Sequence, residues 1–113
     1  MPHCIIDFSA NVPGYDVAEG LTRACHSAMV ASGLFEPASI KTRAHQAEAA
    51  KTGEGDDSFI HVNISIMPGR SSEQKRALMD AIAVAIDGVE IQASSLTMEV
   101  RELEKAHYFK KLT

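Results

Sequence analysis

The sequence predicts an α+β fold of two layers: two β-α-β units forming a four-stranded mixed sheet, with both helices on one face. Three observations predict it. Residues 58–67 alternate between apolar and polar side chains, as a half-buried strand does. Segments 17–29 and 78–89 space their apolar residues at helical intervals. Pro13-Gly14 and Pro68-Gly69 each separate a strand from a helix, so both halves of the chain have the same order of elements.

In the first half, residues 3–9 form a short apolar run bounded by turn formers, which predicts a strand. The helix that follows has a buried face of Val17, Leu21, Ala24, Cys25, Ala28 and Met29. Asp16 is placed to cap or charge its start, and Gly33 to end it. Residues 39–46, rich in polar and cationic side chains, are interpreted as a second strand.

The second half repeats this order after an exposed loop at 48–57. The strand at 58–67 is followed by a helix that begins at Ser71 or Ser72, with Glu73 and Gln74 placed for a capping box. Gly88 ends this helix. Its predicted buried face is Leu78, Met79, Ile82, Ala85, Ile86 and Val89. The fourth strand is indicated by Leu96, Met98, Val100 and Leu103.

The 113 residues therefore read as one domain, 1–113, with halves at about 1–47 and 58–104 and a short C-terminal tail. Within each half the two strands should be parallel, because a β-α-β crossover joins them. With both helices on one face, the other face of the sheet is left open. We therefore expect an oligomer that covers it.

Composition excludes several classes of protein. A net charge of -4 with no basic cluster argues against a nucleic-acid partner. No apolar run approaches the roughly 20 residues of a membrane span, so no membrane association is expected. The first residues lack the pattern of a signal peptide, which predicts a cytoplasmic location. Cys4 and Cys25 both lie in apolar patterns and are interpreted as free thiols of the core rather than as nucleophiles.

Several segments, taken in order, resemble 5-carboxymethyl-2-hydroxymuconate isomerases of the tautomerase superfamily. They are Met1-Pro2-His3, 5–9, 33–35, 40–45, 59–62, 69–71, Glu102-Leu103 and Phe109-Lys110. Residues 68–75 are also similar to the helix start of the shorter 4-oxalocrotonate tautomerases. The resemblance covers nearly the whole chain. No single segment is specific, but the ordered set is.

The resemblance implies a homotrimer of tautomerase-like subunits that needs no metal or organic cofactor. It also implies an amino-terminal proline as general base and arginines that bind the carboxylates of a small-molecule substrate. By position the base is Pro2, exposed by removal of Met1, and one carboxylate binder is Arg70. The family often has arginine where this chain has Lys41, while Arg43 follows two residues later. Both are candidate substrate-binding residues.

These residue types suit proton transfer on an unsaturated acid. A general base works best with a pKa near the working pH. An α-amino group titrates at about 7.7–8.0, and burial or a nearby cation lowers this further. Arginine binds a carboxylate through two parallel hydrogen bonds and can stabilise a developing enolate. On pattern alone, however, Pro2 could simply lead a strand, and Arg70, Arg43 and Lys41 could be solvated.

Three functions follow. The first is an isomerase or tautomerase acting on an unsaturated 2-hydroxy or 2-oxo acid such as 5-carboxymethyl-2-hydroxymuconate, in aromatic-compound breakdown. The second is a hydratase or dehalogenase of unsaturated acids on the same fold, for which the lysine at position 41 leaves room. The third is a non-catalytic trimeric binding module. His3, His26, His45 and His107 have no metal-site spacing among themselves, and His61 is interpreted as a structural polar residue.

Overall fold

The sheet at the centre of the computed structural model, which describes residues 1–113, has the strand order β2-β1-β3-β4. Its elements are β1 (His3–Ser9), α1 (Val17–Ala31), β2 (Lys41–Ala47), β3 (Phe59–Ile66), α2 (Ser72–Gly88) and β4 (Ser95–Glu102), with 3₁₀ turns at Pro37–Ser39 and Lys105–His107. β1 pairs with β2 and β3 with β4 in parallel, whereas β1 and β3 are antiparallel. The predicted mixed sheet of two β-α-β units is confirmed.

Alternation along the two central strands separates the faces of the sheet. On the helix side, Cys4, Ile6 and Phe8 of β1 lie beside Ile60, Val62, Ile64 and Ile66 of β3, all buried. The six residues predicted for the buried face of α1 are all buried too. In α2, Leu78, Ile82 and Ile86 are buried, but Val89 is exposed. That part of the prediction is wrong because Val89 is the residue that caps the helix, beyond its buried face.

The two helix starts differ. Ser71 accepts a hydrogen bond from the Gln74 amide at 3.1 Å, and the Gln74 side chain accepts one from the Ser71 amide at 2.9 Å. This is the predicted capping box. Asp16, in contrast, has left-handed backbone angles (φ 50°, ψ 53°) and makes no side-chain cap hydrogen bond. Its predicted capping role is therefore wrong, since a capping side chain normally projects from extended backbone.

The second strand begins two residues later than predicted. The amides of Ser39 and Ile40 donate to the carbonyls of Glu36 and Pro37, so a 3₁₀ turn occupies the start of the predicted segment. Ile40 is buried, and the ladder with β1 begins at Lys41. This turn matters for the site, because it lies beside the amino terminus.

The open face of the sheet is mostly polar. Its cross-strand rows run from β2 to β4 as Lys41, His3, Ser65, Arg101; Arg43, Ile5, Asn63, Glu99; and His45, Asp7, His61, Thr97. His61 hydrogen bonds to Thr97 at 2.7 Å and to Glu99 at 3.0 Å. It therefore has the structural polar contacts that were predicted for it. No helix has the length and apolar character that crossing a bilayer requires.

Cys4 and Cys25 are both fully buried and free, as the sequence predicted. A hydrogen bond between the two thiols, together with burial, raises the pKa of Cys25. Because the reactive form of cysteine is the thiolate, this environment disfavours nucleophilic chemistry at Cys25. The pair therefore packs the interface between β1 and α1.

Candidate active site

Pro2 is buried at the start of the central strand β1. Its carbonyl accepts a hydrogen bond from the Lys41 amide at 3.0 Å, which extends the pairing of β1 with β2 by one residue. Proline has no backbone N–H, so its place at the first position of a strand removes no ladder donor. The sheet thus holds Pro2 in a fixed position near the amino terminus.

A cleft of about 200 Å³, here called the proline cleft, opens beside Pro2. Its walls come from the chain start, from the segment that follows α1, and from the turn between β3 and α2. The lining residues are Met1, Pro2, Phe35, Glu36, Ser39, Met67 and Arg70. Pro2 and Arg70, which the sequence predicted as base and carboxylate binder, therefore line one cleft.

Arg70 is held by its neighbours rather than by an acid. Its Nη2 donates to the Leu34 carbonyl at 2.7 Å and its Nη1 donates to the Met67 carbonyl at 3.4 Å. The guanidinium carbon lies 4.9 Å from the centre of the Phe35 ring, within the range of a cation–π contact. The side chain is half-buried and makes no ion pair with a carboxylate. Its positive charge is therefore held in place by these three contacts and is not neutralised.

A second cleft of about 420 Å³, here called the lysine cleft, adjoins the first. It lies between Lys41, at the start of β2, and the C-terminal segment 108–113. Met1 lines both clefts and thus stands between them. No aspartate or glutamate side chain lines the lysine cleft, whereas Lys110 and Lys111 do.

The predicted substrate-binding set is therefore divided. Arg70 lines the proline cleft and Lys41 the lysine cleft, but Arg43 lines neither. Arg43 lies on the open face of the sheet, where its Nη1 is 3.2 Å from Nδ1 of His3. The other ring nitrogen of His3 is 2.9 Å from the Tyr108 hydroxyl.

The free positive charge of this acidic protein is concentrated near the amino terminus. The cations that make no ion pair are Lys41, Arg43, Arg70, Lys105, Lys110 and Lys111. All but Lys105 line one of the two clefts or contact His3. Partial burial, then Lys110 and then Arg70, lowers the pKa of the Met1 amine. The amine thus lies near cations of both clefts.

Sequence reasoning assigned no role to three residues of this site, Phe35, Tyr108 and Lys110. Phe35 supports Arg70, and Tyr108 and Lys110 form one wall of the lysine cleft. The resemblance marked the segments 33–35 and Phe109-Lys110, but neither hydrophobic periodicity nor spacing assigns a role to them. Only the folded chain brings residue 108 to residue 3.

Comparison with known proteins identifies the family. The family profile described as 5-carboxymethyl-2-hydroxymuconate isomerase matches residues 2–112. The 5-carboxymethyl-2-hydroxymuconate Delta-isomerase of Escherichia coli is 26% identical over an alignment of 117 positions, which covers 97% of this chain and 93% of that protein.

Solved structures agree on the fold. A 5-carboxymethyl-2-hydroxymuconate isomerase from Deinococcus radiodurans R1 superposes with a TM-score of 0.83 at 24% identity, over 99% of this chain and 90% of that one. A fused 4-OT, described as a wild-type symmetric trimer, gives 0.76 at 19% identity over 92% and 87% of the two chains. The fold is therefore tautomerase-like, and the chain is an isomerase that belongs to the 5-carboxymethyl-2-hydroxymuconate isomerase family.

Proposed function

We propose that this isomerase moves a proton on an unsaturated 2-hydroxy or 2-oxo acid with more than one carboxylate, such as 5-carboxymethyl-2-hydroxymuconate. The Pro2 amine, freed by removal of Met1, is the general base. One observation carries the proposal: five of the six unpaired cations, all but Lys105, line the two clefts or contact His3 near the amino terminus of a protein whose net charge is -4. An anionic substrate would be drawn to this end of the molecule.

The secondary amine of Pro2 would take a proton from the enol or from the carbon beside the carbonyl. The electron pair of the broken bond then passes into the conjugated system and forms a dienolate. The resulting ammonium returns the proton to another carbon of the same system, so the reaction consumes no co-reactant. One base within hydrogen-bond reach of both positions is sufficient.

Arg70 is proposed to bind a carboxylate and to stabilise the dienolate. Two of its N–H groups are occupied by the Leu34 and Met67 carbonyls, which leaves other guanidinium donors for the substrate. Because these contacts hold the side chain before substrate arrives, little reorganisation is needed during the reaction. The adjoining Lys41 would attract a second carboxylate as a point charge.

Removal of Met1 would have two effects on this site. It converts the Pro2 nitrogen from an amide, which cannot accept a proton at neutral pH, into a basic amine. It also removes the residue that stands between the proline cleft and the lysine cleft. A substrate with two separated carboxylates could then contact Arg70 and Lys41 at once.

We also propose that the enzyme is a cytoplasmic homotrimer. The two buried free thiols suit a reducing compartment, and the similar fused 4-OT structure is a symmetric trimer. β2 and β4 each leave one edge unpaired within the chain, and pairing at such edges is a common route to assembly.

The proposed trimer predicts a mass in solution. Sedimentation equilibrium should give three times the chain mass, and a monomer at micromolar concentration would contradict this.

The proposed base predicts a pH profile. Only the neutral amine accepts a proton, so kcat/KM should be low in acid, rise with pH, and level off above the pKa of the Pro2 amine. Burial and the repulsion of Lys110 and Arg70, which lower the pKa of the Met1 amine, should act in the same direction on Pro2. The midpoint of the rise should therefore lie below the pKa of the same proline amine when it is exposed to water and far from these cations.

Removing one of these cations should shift the midpoint. In Lys110→Gln the repulsion of the ammonium form is weaker, so the pKa of the amine and the midpoint should both rise. Lys51→Gln is the matched control, because Lys51 pairs with Asp56 in the loop that follows the far end of β2. A rate that is independent of pH between 5 and 9, or equal shifts in both variants, would contradict an amine base beside Lys110.

A further inference from the structure

His3 makes two hydrogen bonds, one to Arg43 and one to Tyr108 near the C-terminus, and the donor and acceptor of each can be assigned. Arg43 Nη1 lies 3.2 Å from His3 Nδ1, and His3 Nε2 lies 2.9 Å from the Tyr108 hydroxyl. Arginine can only donate, so His3 Nδ1 must be the acceptor. The proton of the neutral ring is therefore on Nε2, which donates to the tyrosine oxygen.

A protonated His3 does not fit this arrangement. An imidazolium would present an N–H to the donor groups of Arg43 and would add a like charge beside it. Burial, followed by the repulsion of Arg43, the terminal amine and Lys41, lowers the pKa of His3. The ring is therefore neutral at pH 7, and its tautomer is set by Arg43.

This tautomer of His3 determines how the Tyr108 hydroxyl can hydrogen bond. Its oxygen already accepts a hydrogen bond from His3, so its own O–H cannot point back at that nitrogen and is free to donate elsewhere. Tyr108 is half-buried and lines the lysine cleft together with Lys41, Lys110 and Lys111. The edge-to-face packing of its ring against His3, at 6.1 Å between ring centres, fixes its orientation.

We propose that Tyr108 is a substrate-binding residue, held by Arg43 and His3 as a hydrogen-bond donor in the lysine cleft. There Tyr108, together with Lys41 and Lys110, binds the second carboxylate of a dicarboxylate substrate. Arg43 is then a positioning residue, which acts on the substrate through His3 and Tyr108 and lines neither cleft. This inference rests on the proposed function, from which it takes the anionic substrate.

Binding of an unreactive dicarboxylate tests the inference separately from turnover. We would titrate adipate, which has no double bond to isomerise, into the protein lacking Met1 and measure Kd by calorimetry. Tyr108→Phe keeps the ring and removes only the hydroxyl, and should raise Kd about tenfold, as expected for a lost hydrogen bond to a charged group. Tyr15→Phe, at a tyrosine that is 99% exposed, is the matched control and should leave Kd unchanged.

A double-mutant cycle tests the role of Arg43. Arg43→Gln should also weaken adipate binding, but should add little in a Tyr108→Phe background, because its effect passes through the missing hydroxyl. The ¹⁵N spectrum of His3 should show a neutral ring protonated on Nε2 in the parent protein and a changed tautomer population in Arg43→Gln. A merely structural role for Arg43 would not produce that change.

Four results would overturn the inference: no adipate binding by the parent protein, equal Kd values for the Tyr108→Phe and Tyr15→Phe variants, a full additional effect of Arg43→Gln in the double variant, or a charged or Nδ1-protonated His3. The proposed function is tested by a different measurement, the turnover of an enol acid. If no unsaturated 2-hydroxy or 2-oxo acid is isomerised but adipate binds through Tyr108, the proposed substrate class and proline base fall and the binding site stands.

Discussion

Protein that retains Met1 should isomerise its substrate about 10²- to 10⁴-fold more slowly than the same protein after Met1 is removed, which is the usual contribution of a general base. With Met1 present, the nitrogen of Pro2 is an amide. The Met1 amine is displaced from that position, and the Met1 residue stands between the two clefts. The measurement is kcat/KM on a 2-hydroxymuconate-type dicarboxylate, with the state of the terminus read by intact mass.

The two forms, with and without Met1, are best compared within one protein preparation. A Met1-retaining sample is split, and one half is treated with a methionine aminopeptidase, so that the sequence, the fold and the concentration of both halves are otherwise matched. Pro2→Ala with its methionine removed is a second reference. It keeps a free amine at position 2 but loses the ring that fixes it, so its rate should fall between the two halves. Equal rates before and after removal of Met1 would exclude Pro2 as the base.

A feature of the fold can be predicted from the sequence when the contacts that determine it join residues close together in the chain. The buried face of α1 and the capping box of α2 follow from spacing within a few residues, and both are as predicted. The start of β2 was misplaced, because a 3₁₀ turn competes with strand pairing at Ser39. The residue type of Asp16 predicts that it caps or charges the helix start, but with its left-handed backbone its side chain makes no cap hydrogen bond.

The same limit applies to the candidate site, and the roles of its residues stay predictions. Pro2 and Arg70 each carry a local pattern, a chain start and a turn before a helix, and the family resemblance supplied their roles. The meeting of His3 with Tyr108 spans almost the whole chain, and no periodicity encodes it. Lys41 and Arg43 looked equivalent as alternate residues of one strand. Only the position of the C-terminal segment, which forms the lysine cleft over Lys41 but not over Arg43, distinguishes them.

Arg70→Ala should lower kcat/KM by about 10²- to 10³-fold, the usual cost of removing a donor that stabilises a developing oxyanion. Arg70→Lys keeps the positive charge but loses the planar pair of donors, so it should recover only part of the rate. Because the proposed contact strengthens as the dienolate forms, kcat should fall along with kcat/KM. A rise in KM alone would mean that Arg70 only binds the ground state.

The structural contacts of Arg70 have to be separated from its chemistry. It donates to the Leu34 and Met67 carbonyls and lies over Phe35, so Arg70→Ala should also lower the thermal midpoint. Phe35→Leu removes the ring beneath the guanidinium but leaves the charge, so it should reduce stability with a smaller loss of kcat. Arg101→Ala, on the open face and paired with Glu99, controls for the loss of one positive charge and should change kcat little. If Phe35→Leu reduces kcat as much as Arg70→Ala, the guanidinium serves the fold of the cleft, and the stabilisation of the dienolate must come from another group.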